Sequence, residues 1–101
     1  MLIIGNFDRR RPRGPPTRDE ALEIGISAFA HIAEDESRVE RFTALTGLDP
    51  ARMREAAREP GFFVAVLDFL AGHEPDLLAF AAASGVDPVR IVQAREALEH
   101  G

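Results

Sequence analysis

The sequence predicts an all-α fold, a compact bundle of about six short helices with two related helix-turn-helix corners. Three observations lead there. The phrase FTALTGLDP at 42–50 returns as FAAASGVDP at 80–88. The run FFVAVLDFLA at 62–71 is apolar nearly all round, the pattern of a helix buried on several sides. After residue 17 no alternating polar–apolar pattern competes with helical spacing.

The first helix, α1, is expected over 17–33. Thr17-Arg18-Asp19-Glu20 reads as a capping box, in which the Thr17 hydroxyl accepts the Glu20 amide and Glu20 reaches back. Leu22, Ile26, Phe29 and Ala33 fall on one stripe and are expected to face the core, with His31 off it. The acidic cluster Glu34-Asp35-Glu36 separates α1 from α2 and suits a helix start, where the dipole favours negative charge. The second helix, α2, is expected over 36–46 with Val39, Phe42 and Leu45 inward.

The repeated phrase explains itself as turn chemistry. Gly47 can take the left-handed conformation that stops α2. Asp49 can cap the next helix, and Pro50 suits its first position, where no N–H is needed. Leu48 and Met53 stand at the spacing of a hydrophobic staple. In the second copy Gly85 stops, Asp87 caps, Pro88 opens, and Val86 staples to Ile91. These signals place α3 over 50–58, ended by Pro60-Gly61, and α4 over 62–71, ended by Gly72. They place α5 from Pro75 to Ser84, with Leu77, Leu78 and Phe80 as its apolar residues, and α6 over 88–99.

RFTALTG, then LDP, then GFFVAVLDFL, then FAAASGVDP resembles a family of small bacterial proteins of unknown function, domain-of-unknown-function family 3572. The resemblance spans roughly 18–98. Thr43 stands where that family is expected to carry a second Leu. It implies a compact helical bacterial protein. It implies no activity and assigns no functional residue.

Length and composition set bounds. A chain of 101 residues fits one domain, and such a chain buries only about 60–65% of its unfolded surface. Residues 1–16, with DRRRPRGPP at 8–16, read as a disordered Arg/Pro-rich leader, and 17–101 as the single helical domain. MLIIGNF at the start either docks as a short extended piece or is foreign to the fold. It is too short for a signal-peptide core, and its charges follow it. Cys is absent, which excludes disulfides and thiolate metal sites. No apolar run reaches the ~18 residues of a membrane span. A cytoplasmic protein with no membrane partner is the expectation.

Charge is uneven. Residues 1–18 hold five Arg and one Asp, whereas 19–101 hold seven Arg against sixteen acids. An acidic body is a poor general binder of nucleic acid, because phosphate contacts rest on cationic density. All twelve basic residues are Arg, which reads first as a composition bias.

Catalysis has little to stand on. No Gly-rich phosphate loop, HExxH or nucleophile elbow is present. His73-Glu74-Pro75-Asp76 gathers a His and two acids, a metal or acid–base pattern. Adjacent residues at a helix start diverge, however, and the reading is a cap region whose acids the helix dipole favours. No cofactor and no metal is expected. Asp68 in α4 is either a raised-pKa base or a carboxylate on the least buried edge, paired with an Arg. Arg52 and Arg90 each stand three residues after a capping Asp, so pairing with Asp49 and Asp87 is expected.

Two functional readings remain. The outward face of α6 carries Val89 and Val92 with Glu96 beside them, opposite Ile91, Ala94 and Leu98. Burying a Val is worth about 1.5–3 kcal/mol, so this pair is covered by α1, by the leader or by a partner. The expected function is therefore a non-catalytic interaction module whose partner is another protein or a second copy. The alternative is weak DNA binding through a helix-turn-helix corner, with Arg9, Arg10, Arg11 and Arg13 as a basic arm and Arg54 and Arg58 as contacts.

Overall fold

The computed structural model describes residues 14–59 and 61–100, the last by its backbone alone. Among them are six α-helices and no strand: α1 Arg18–Ala33, α2 Glu36–Thr46, α3 Met53–Ala56, α4 Phe62–Ala71, α5 Glu74–Ser84 and α6 Pro88–His100. A 3-10 turn, Pro50–Arg52, leads into α3. The all-α bundle expected from the sequence is present.

Local chemistry sets the helix starts. The Glu20 amide donates to Thr17 Oγ1 at 3.1 Å, and the Thr17 amide donates to Glu20 Oε1 at 2.8 Å. Asp35 caps α2, accepting the Ser37 amide at 2.8 Å and the Arg38 amide at 3.4 Å. Those bonds hold its carboxyl below the ordinary carboxylate range.

The two repeated turns match atom for atom. Gly47 and Gly85 sit at φ 75° and 78°, where a Cβ is strained. Thr46 Oγ1 donates to the Phe42 carbonyl at 2.7 Å and accepts the Leu48 amide at 3.3 Å. Ser84 Oγ does the same with Phe80 and Val86, at 2.7 and 3.2 Å. Asp49 accepts the Ala51 amide at 3.0 Å and Asp87 the Val89 amide at 2.8 Å. The segments leaving the two turns differ. After the second turn α6 departs at 101° to α5. After the first, the single helix expected over 50–58 is instead a 3-10 turn and four α-helical residues. The reason is burial. α6 inserts Ile91, Ala94 and Leu98 into the core, whereas residues 50–58 include none that is fully buried. Helices hold their shape mainly through such packing.

The core gathers on α4, which packs against α1, α2, α5 and α6. Every α4 residue except Asp68 is at least half-buried. Phe62 is the hub of an edge-to-face aromatic cluster, with centroids 5.1 Å from Phe29, 6.1 Å from Phe42 and 5.0 Å from Phe63. Phe42 continues it to Phe69 at 5.5 Å. Such contacts add about 0.5–1.5 kcal/mol each beyond buried area.

Four expected core positions, Leu22, Ile26, Ala33 and Leu45, are corrected. In α1 the buried stripe is Ala21, Ile24, Gly25, Ala28 and Ile32, one step round from the expected one. Leu22, Ile26 and Ala33 are exposed, and only Phe29 of that set reaches the core. The small residues win because α4 comes very close: a Cβ on Gly25 would lie 3.0 Å from the Phe63 Cβ. Leu45 on α2 is 76% exposed, and Leu78 on α5 is also outside. In α2 only Phe42 is fully buried, with Val39 packed beside it. In α5 the buried positions are Asp76 and Phe80, and the helix begins at Glu74, one residue early.

The start of the chain needs one more correction. Residues 1–13 lie outside the described residues. Gly14–Pro16, expected as the end of a disordered leader, are tied to the body. Pro16 is buried, and the Gly14 carbonyl accepts Arg90 Nη1 at 3.0 Å.

Candidate functional site

The outward face of α6 is built by the second turn. The Asp87 cap starts the helix, and the buried stripe Ile91–Ala94–Leu98 fixes its rotation. Val89, Val92 and Glu96, spaced three and four apart, then fall together on the opposite side. Val89 is 61% and Val92 39% exposed, and Glu96 is exposed too. Packing of α1 against α6 therefore leaves this pair uncovered.

The cations flanking that face are tied to the body. Arg90 Nη2 lies 3.6 Å from Glu20 on α1. Arg95 donates through Nε to Asp68 of α4 and through Nη1 to Glu99 at 2.8 Å. Asp68 is thus an exposed carboxylate paired with an arginine. The expected pairing of Arg52 and Arg90 with Asp49 and Asp87 does not occur. Those carboxylates accept backbone amides, Arg52 pairs with Glu55 at 3.7 Å, and Arg90 turns to Glu20.

A second cluster lies between α2 and α5. Asp76, buried, accepts Arg41 Nη1 at 2.6 Å and Nη2 at 3.2 Å, and lies 3.0 Å from His73 Nδ1. The Arg41 fork, with help from His73, holds the Asp76 carboxyl below its ordinary range against the opposing effect of burial. The Arg41 guanidinium also sits 5.5 Å from the centre of the Phe69 ring. His73 and Asp76 are thus brought together, with an arginine as third member. Among the described residues no three His or acidic side chains converge as metal ligands would. Arg41 carried no signal in the sequence. Its partner is 35 positions away, and no local pattern joins them.

His31, expected off the inward stripe, is buried with its ring 5.4 Å from Phe80. Its Nε2 has no hydrogen-bond partner among the described residues. Burial lowers its pKa, and Arg38, which donates to the His31 carbonyl at 2.9 Å, lowers it further.

Arg9, Arg10, Arg11 and Arg13 lie outside the described residues. Arg54 lines an open groove of about 510 Å³ with Phe29, Pro50, Ala51, Met53 and Ala57. Arg58 is exposed beyond α3.

The model of the family described as "protein of unknown function (DUF3572)" matches residues 18–101. The chain belongs to that family. DUF3572 membership covers the whole described bundle from the first residue of α1 and assigns no activity. No curated protein and no solved structure matches this DUF3572 chain. Among its described residues no single helix is long and apolar enough to cross a membrane.

Proposed function

We propose that this DUF3572 protein is a non-catalytic cytoplasmic interaction module that docks another protein, or a second copy, on the outward face of α6. One observation carries the reading. Val89 and Val92 stand exposed side by side while Arg90 and Arg95 are drawn to Glu20 and Asp68 of the body. Two exposed Val side chains of one stripe are an anchor that costs the monomer little to bury. The polar Glu96 at the end of the stripe gives a partner a fixed register.

The test is a comparison of the native chain with Val89→Asp/Val92→Asp in partner capture from cells that carry the gene. The double variant is expected to keep its helical content and melting point and to lose the captured protein or the self-association. Unfolding of the variant would mean that the pair is core. Unchanged capture would place the docking surface elsewhere. Either result refutes the reading.

The DNA reading keeps some support from the 101° bend between α5 and α6, within the range of helix-turn-helix units. Against it stands the face that α6 would offer, Val89, Val92 and Glu96, which cannot neutralise phosphate. A labelled duplex at low salt decides. Binding that weakens steeply as salt rises favours this alternative, and no binding removes it.

A further inference from the structure

We infer that the α6 ridge of one molecule docks head to tail in the open groove beside α3 of a second copy, with Glu96 meeting Arg54 and Arg58. The inference rests on the docking reading of the α6 face and names its partner.

The two surfaces are complementary in kind. The ridge is Val89 and Val92 with Glu96 one turn beyond, all exposed. The groove, of about 510 Å³, is lined by half-buried Phe29, Met53 and Ala57 and by exposed Pro50 and Ala51. Arg54 is its one charged lining residue among those described. The spacings agree. Glu96 stands four residues from Val92, about 6 Å along α6, and Arg54 four residues from Pro50, about 6–8 Å along the 3-10 turn and α3.

Charge selects the pairing. Arg54 and Arg58 are exposed and form no ion pair among the described residues, whereas Arg41, Arg52, Arg90 and Arg95 each hold an acid. Glu96 likewise forms none among the described residues. A ridge-on-ridge dimer would bring two Glu96 carboxylates into one interface, with Arg90 and Arg95 already held by Glu20 and Asp68. A groove-on-groove dimer would oppose two Arg54 side chains. Like charges so placed are costly, and ridge in groove gives each charge its opposite.

The internal repeat supplies both halves. It aligns Ala51 with Val89, Arg54 with Val92 and Arg58 with Glu96, so that related turns lead into a cationic face and into an apolar face ending in an acid. α6 packs on α1, α4 and α5, and none of its described residues lines the groove. One molecule therefore offers both surfaces at once. Such a contact is heterologous and continues past the dimer, closing into a ring or growing as a filament.

Sedimentation velocity of the full chain over a concentration series tests this. Val89→Asp/Val92→Asp removes the ridge, and Ala51→Glu/Arg54→Glu spoils the groove, all four at exposed positions. The native chain is expected to pass through dimer to larger species. Each variant alone is expected to associate at least about tenfold more weakly. An equimolar mixture of the two should form a dimer and stop there, because it holds one intact ridge and one intact groove per pair. A monomeric native chain overturns the inference, as does a mixture that stays monomeric. Glu96→Arg and Arg54→Glu give a second measurement that leaves every apolar side chain in place. Each should weaken association alone, and mixing the two should restore it; no recovery on mixing overturns the inference. If the groove variant assembles as the native chain does while the ridge variant does not, only this inference falls. The same holds if the native chain is monomeric while Val89→Asp/Val92→Asp loses a captured protein. If the ridge variant assembles and captures as the native chain does, the docking reading falls with it.

Discussion

Arg41 and Asp76, thirty-five residues apart, close a two-pronged ion pair that ties α2 to the first turn of α5. The carboxylate is buried and its cation is partly open to water. Removing the cation strands a charge, whereas removing both partners does not. Arg41→Met is therefore expected to lower the melting temperature more than the double variant Arg41→Met/Asp76→Leu. Thermal denaturation followed by circular dichroism orders the two.

The same pair sets an acid limit. Asp76 has a folded pKa below its unfolded value of 3.8. Its contribution is thus complete above that value and is lost as pH falls through the folded value. Urea midpoints should fall more steeply below pH 3.8 in the native chain than in Asp76→Asn. Parallel curves would show that the pair contributes nothing net.

His31 acts in a higher window. Burial and Arg38 depress its pKa from 6.5, while Glu34, Asp76 and Asp35 oppose them. The unfolded chain takes up the proton first, so stability present above pH 6.5 declines as pH falls towards the folded value. In His31→Leu this segment of the urea-midpoint profile should be flat, with the Asp76 segment unchanged.

The left-handed glycines should behave as a pair. Neither Gly47 nor Gly85 has an atom within 4 Å of an added Cβ, so only backbone strain opposes substitution. Gly47→Ala and Gly85→Ala should each cost about 1–2 kcal/mol, read from urea denaturation. A much larger loss at Gly85 alone would show that the second turn also positions α6.

The two sides of α6 predict opposite costs. Ile91→Ala removes a fully buried side chain and should cost about 2–5 kcal/mol. Val92→Ala, on the outer face, should stay within about 0.5 kcal/mol. Equal costs would contradict the orientation of the helix.

The helix ends were legible in the sequence because caps and stops are local: Thr17 with Glu20, Gly47 with Asp49, Gly85 with Asp87. The rotation of α1 was not. Leu22–Ile26–Phe29–Ala33 and Ala21–Ile24–Ala28–Ile32 are both apolar at helical spacing, and the close approach of Phe63 to Gly25 decides between them. The length of α3 was illegible for the same reason, since identical turn chemistry precedes a long helix only where a core awaits it. Val89, Val92 and Glu96 could be placed outward from periodicity, because Ile91, Ala94 and Leu98 leave one choice of inner face. The Arg41–Asp76 pair had no local trace at all.

The cluster of rings around Phe62 also gives the protein its own optical probe. With neither Trp nor Tyr, the only benzenoid chromophores are seven Phe, and several of them are locked edge to face. Their fine structure in near-ultraviolet dichroism reports native tertiary packing without competing bands. A state that keeps its helices but loosens the rings would betray itself by the fading of that signal alone.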